Sequence, residues 1–128
     1  MLLLGYVLTV AIETPVLVLG LSRRHLMRNR ILAGVWLNAC SYPIVILVFP
    51  YWFWATYGRG VYVAASEIFA PVCECLLFWA ACGTRLQKPR WSFVQDIAAI
   101  IAANLASFLL GGWLLANSEW LRGLLGMV

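Results

Sequence analysis

The stretch VYVAASEIFAPVCECLLFWAACG, residues 61–83, decides the fold: it is apolar and long enough to cross a bilayer, yet it carries two glutamates, Glu67 and Glu74. A spanning helix needs about 20 predominantly apolar residues, and an ionisable group inside one is costly enough to ask for a reason. Three more stretches of this kind, residues 2–21, 31–50 and 97–116, accompany it, and the first contains a third acid, Glu13. The chain as a whole is 64% hydrophobic and 11% charged, with a mean hydropathy of +0.90, which excludes an ordinary soluble domain. The expected fold is all-α and integral to the membrane. Residues 1–128 form one domain, four transmembrane helices in a compact antiparallel bundle. The short loops leave any function to the bilayer, its surfaces or partners.

The first stretch has no basic residues before it and contains Glu13, so it is expected to be a retained helix and not a signal peptide. Arg23, Arg24, Arg28 and Arg30 fill the first connector and Arg85, Lys88 and Arg90 the third, against only Arg59 and Arg122 on the opposite side. By the positive-inside rule, loops 22–30 and 84–95 are expected in the cytoplasm and both termini outside it, in a multi-pass protein of the cell inner or plasma membrane. Tyr51, Trp52, Phe53, Trp54, Tyr57 and Tyr62 cluster at the outer turn between helices two and three, a headgroup position for amphipathic rings. The segment from Lys88 to Asp96, with Trp91, is expected along the cytoplasmic interface. The net charge of +4 is then topology and attraction to membrane lipids, and no nucleic-acid partner is expected.

Depth turns the polar residues into a pattern. At about 1.5 Å of rise per residue, Glu13 and Glu74 lie just past the middles of two helices running one way. Asn38 and Asn104 precede the middles of the two that run oppositely, so all four share a layer near the midplane. Glu67 lies two turns from Glu74 on nearly the same face and extends the layer outward as an acidic stripe. Pro15, Pro43 and Pro71 are expected to kink their helices, freeing the carbonyls of Ala11, Ala39 and Glu67. Carboxylates, amide oxygens and loosened carbonyls suit a hard cation or a protonated amine stripped of water. The plainer alternative is that the asparagines tie helices together, and that a glutamate does so as a protonated donor.

Other chemistries find little support. Cys40, Cys73, Cys75 and Cys82 form no CxxC pair, and Cys73 and Cys75 point to different sides of a helix, so they read as packing residues. The one histidine, His25, reads as a solvated loop residue, and Asp96 as a capping carboxylate at the start of helix four. Glu119 reads as a surface residue. No protease or hydrolase signature is present, so enzymatic activity is not expected, and no metal or cofactor is named. Ala99, Ala103, Ser107 and Gly111 recur at four-residue spacing in helix four, with Ala98, Ala102 and Ala106 beside them, a face suited to packing within the bundle or to a homo-oligomer.

Four spanning helices, minimal loops and an acid in the middle of helix one make the chain similar in outline to the small multidrug-resistance exporters. The two acids of helix three and the strong charge bias depart from that family. The resemblance implies export through a membrane bundle. The residues themselves point to a small transporter or permeation protein for a cation or protonatable solute, with Glu13 and Glu74 central, Glu67 on the outward approach, and Asn38 and Asn104 supplying neutral oxygens. A carboxyl removed from water holds its proton more readily, so cargo could exchange with protons. A second expectation is an accessory or assembly subunit whose polar layer meets a larger membrane complex. A lipid or quinone binder is suggested only by the aromatic content.

Overall fold

The computed structural model describes residues 2–82 and 90–124. It is all-helical, with four helices long and apolar enough to cross a membrane. These are α1 (Leu2–Gly20), α2 (Met27–Tyr57), α3 (Arg59–Cys82) and α4 (Arg90–Asn117), followed by a short α5 (Glu119–Leu124). Around the bundle, α1 packs on α2 and α4, and α3 packs on the same two helices. Large apolar side chains, among them Leu19, Ile68, Leu76, Ile101 and Leu109, face outward, as is suited to helices able to cross a membrane. Arg85 and Lys88, two of the basic residues of the third connector, lie outside the described residues.

Two helices run longer than their hydropathy suggests. Pro50 does not end α2, which continues through the aromatic run Tyr51–Tyr57. Its winding widens instead: Phe49 N–H donates to Ile44 C=O and Ala55 N–H to Pro50 C=O, each five residues back. A wider turn accommodates the missing proline N–H while keeping neighbouring backbone groups paired, which a bilayer demands. The aromatic residues 51–57 thus extend a helix and do not form a loop. A single residue, Gly58, then reverses the chain at φ 86°, a conformation open to glycine at little cost. At the other end, α4 begins at Arg90, so residues 90–96 form its first turns.

The connector after α1 is tied down by α2 and α4. Arg30 Nη1 donates to Val18 C=O at 3.1 Å and Gln95 Nε2 to Gly20 C=O at 3.0 Å, satisfying carbonyls that a helix C-terminus leaves free. Asp96 accepts the Ser22 N–H at 2.8 Å and lies 3.0 Å from His25 Nε2. It is 1% exposed and His25 8%. Both readings from the sequence are corrected here. Asp96 sits inside α4 and does not cap it. His25 is buried, because the carboxylate across the bundle gives its ring a polar partner and Phe78 packs edge-on against it. The apolar core lies just above this tie and joins Leu17, Leu21, Ala33, Leu37, Phe78, Ala99, Ile100 and Ala103. Close approach needs small residues: a Cβ on Gly20 would stand 2.9 Å from Ala99 Cβ, and one on Gly34 would run into Thr14. Ala99 and Ala103 are thereby consumed inside the bundle, whereas Ala98 and Ala102 face outward.

Candidate functional site: a buried carboxyl layer

Glu13 on α1, Asn38 on α2, Glu74 on α3 and Asn104 on α4 meet in the middle of the bundle. Both carboxyls are 1% exposed, and each binds one amide and one hydroxyl. Asn38 Nδ2 donates to Glu13 Oε2 at 2.7 Å, and Ser107 Oγ lies 2.5 Å from Glu13 Oε1. Asn104 Nδ2 donates to Glu74 Oε2 at 2.8 Å and Ser41 Oγ to Glu74 Oε1 at 2.7 Å. Each asparagine also donates to the carbonyl four residues back, Gly34 for Asn38 at 3.0 Å and Ile100 for Asn104 at 3.1 Å. That second bond fixes the amide so that its nitrogen, not its oxygen, faces the carboxyl. The asparagines therefore act as donors in this layer, where the sequence suggested neutral oxygens for a cargo.

On one side of the layer is the apolar core. On the other is a partly open cavity of about 170 Å³. It extends from the layer toward the end of the bundle that carries the α2–α3 connector, past Thr9 on α1, Tyr42 and Val45 on α2, Ser66, Glu67 and Ala70 on α3, and Phe108 on α4. Glu67 stands in its wall, half-buried, with no hydrogen bond or ion pair among the described residues. Three carboxyls thus share one cavity whose lining, among the described residues, contains no Lys, Arg or His.

The three prolines expected to kink their helices stand away from the cavity. Pro15 and Pro71 lie within α1 and α3, and Pro43 stands where α2 begins to widen. None of the three lines the cavity, and neither Ala11 nor Ala39 does. The carbonyls of Ala11 and Ala39 are accordingly not part of the site, whereas Glu67, four residues before Pro71, is in its wall. The four cysteines form no disulfide among the described residues, Cys40 faces outward, and none lines the cavity. Among the described residues, no group of three His, Cys, Asp or Glu side chains is placed to hold a metal ion.

Ser41 and Ser107 are the residues that sequence reading missed, and a signal for them exists. Asn-Ala-Cys-Ser-Tyr at 38–42 and Asn-Leu-Ala-Ser-Phe at 104–108 repeat one pattern, Asn-x-x-Ser-aromatic, on two helices. Residues three apart share a helix face, so each motif sets an amide and a hydroxyl side by side and its ring one position on, in the cavity wall. No family model matches this chain, and no curated protein or solved structure matches it.

Proposed function

We propose that the chain is a small multi-pass transporter or permeation protein for a cation or protonatable solute. The cavity carries this reading: it gathers Glu13, Glu67 and Glu74 without a basic residue in its lining among the described residues, in a bundle of helices able to cross a membrane. Uncompensated negative charge at that depth is unfavourable. A cation, or protons in its absence, would neutralise it. Size narrows the cargo, because sites for drug-sized ligands run to about 300–1,000 Å³ and this one is about 170 Å³. A small cargo separates the proposal from multidrug export. Glu67, with free acceptor sites, would meet the cargo first on its way to Glu13 and Glu74.

The exposed Arg23, Arg24 and Arg28 support a cytoplasmic placement of the α1–α2 connector, with both termini extracytoplasmic. In that orientation the cavity faces outward and the apolar core closes the cytoplasmic side. Such a bundle contacts membrane lipids, and the outward Ala98 and Ala102 of α4 offer a surface for a homo-oligomer. The proposal includes no catalytic step and no nucleic-acid partner.

An accessory subunit of a larger membrane complex is supported by a different observation, an apolar groove of about 430 Å³ between α3 and α4, lined by Ile68, Pro71, Val72, Leu76 and Ile101 among others. A partner helix would fill it. The two readings separate by thermal unfolding of the purified protein in detergent, wild type beside Glu13→Gln and Glu74→Gln, with metal and organic cations at varied pH. Transport predicts stabilisation by a particular cation, about 2.7 kcal/mol at 100 times its Kd, lost in both variants. No response to any cation, together with a stoichiometric partner retained on isolation from native membranes, would overturn it in favour of the accessory role.

A further inference from the structure

We propose that Ser41 and Ser107 form an interlock between two equivalent helical hairpins, and that loading of Glu13 and Glu74 moves the hairpins by breaking these two hydroxyl bonds. The inference deepens the transport reading and rests on it.

The hairpins are α1–α2 and α3–α4, and they correspond residue by residue. Glu13 matches Glu74, Asn38 matches Asn104 and Ser41 matches Ser107, with the same bonds made by each set. The correspondence extends below the layer, where Leu17 matches Phe78 and Ala33 matches Ala99 in the core. It extends above it as well, where Tyr42 matches Phe108 in the cavity wall. Such a relation between repeats is the arrangement that lets one half of a bundle rock against the other around a fixed site.

The bonds divide cleanly between the two kinds of donor. Each asparagine serves the carboxyl of its own hairpin: Asn38 to Glu13, Asn104 to Glu74. Each serine reaches the carboxyl of the other, Ser41 that of Glu74 and Ser107 that of Glu13, and Ser107 Oγ also lies 2.9 Å from the Asn104 carbonyl of its own helix, an acceptor to which its proton can turn when the carboxyl is occupied. Relative movement of the hairpins therefore leaves the amide bonds intact and breaks the hydroxyl bonds. A cation on either carboxylate competes for the oxygen that the serine occupies, so the interlock reads the state of the site. Asp96 ties the hairpins a second time, to Ser22 and His25 beneath the core. It touches neither carboxyl and so cannot report their loading.

The test is sided labelling of introduced cysteines by a membrane-impermeant thiol reagent in sealed vesicles, with the chain lacking the introduced cysteine as blank. Ala103→Cys probes the apolar core from the basic-connector face, and Thr9→Cys probes the cavity from the opposite face. In the Ser41→Ala, Ser107→Ala double variant, labelling at position 103 should rise about tenfold, the change that about 1.4 kcal/mol makes in an opening equilibrium. Labelling at position 9 should not rise. Each single variant should give part of the effect, because each hydroxyl reaches one carboxyl of the other hairpin, and Ser66→Ala, whose hydroxyl bonds its own helix, should give none. No rise at position 103, a rise in only one single variant, or a parallel rise at both probes would overturn the interlock. A cation response of the wild type alongside such a result would leave the transport reading standing, whereas its absence removes that reading independently.

Discussion

Ser107 Oγ stands 2.5 Å from Glu13 Oε1, so the last spanning helix delivers a hydroxyl to the carboxyl of the first. The Glu13 side chain is 1% exposed. Ser107→Ala should therefore destabilise the protein by about 1–3 kcal/mol, the cost of stranding a buried polar group. Ser66→Ala removes a bond within one helix and should cost less than about 0.5 kcal/mol, as for a hydroxyl whose carbonyl acceptor stays helix-bonded. Denaturant or thermal unfolding in detergent compares the two directly.

Glu67 provides the opposite case. Its carboxyl has no hydrogen bond or ion pair among the described residues, so Glu67→Gln should leave unfolding stability within about 0.5 kcal/mol of wild type. Cation-dependent stabilisation should nonetheless weaken, because the carboxyl with free acceptor sites is gone. Loss of basal stability comparable with Ser107→Ala would show that Glu67 is held by the fold and is not waiting for a cargo.

Gly34 is fixed by space. A Cβ there meets the Thr14 Cα at 3.0 Å, and backbone cannot move aside as a flexible side chain can. Gly34→Ala should cost about 1–3 kcal/mol through overpacking, despite a gain of about 1 kcal/mol in helix propensity. Gly111 has nothing within 4 Å of its added Cβ, so Gly111→Ala should be neutral or stabilising by up to that same propensity gain. Paired melting curves decide it.

Asp96 predicts an ordered pair of variants. Asp96→Asn keeps an oxygen for the Ser22 N–H and should be the milder change. Asp96→Ala strands that N–H and the His25 ring together and should cost about 2–4 kcal/mol, two buried groups at about 1–2 each. Equal effects in an unfolding experiment would mean that the charge of Asp96, and not its acceptor geometry, holds the connector.

The bundle was legible because its signals are long: four apolar stretches, each bounded by charge or aromatic residues, need no knowledge of tertiary contacts. The carboxyl layer was legible for a similar reason, since helical rise alone brings Glu13, Asn38, Glu74 and Asn104 to one depth. Helix ends were not. Pro50 and the aromatic run resemble a turn in sequence, but a bilayer penalises unpaired backbone more than a proline penalises a widened helix. His25 and Asp96 failed for another reason, because each looks solvent-bound alone and only the packing of α4 on the α1–α2 connector makes them a pair. Ser41 and Ser107 escaped because serine is unremarkable in an apolar helix until the repeated Asn-x-x-Ser-aromatic pattern is noticed.

Gly58 joins α2 to α3 as a single residue at φ 86°, and nothing lies within 4 Å of where its side chain would stand. The two hairpins are therefore pinned together at one end of the bundle, with that residue as their fulcrum. A lever pinned at one end sweeps farthest at the other, and here the arm lengthens by about 1.5 Å with each residue of helix. Small rotations at Gly58 would barely disturb the aromatic collar around it. They would be felt most where Asp96 grips Ser22 and His25, at the far end of the arm.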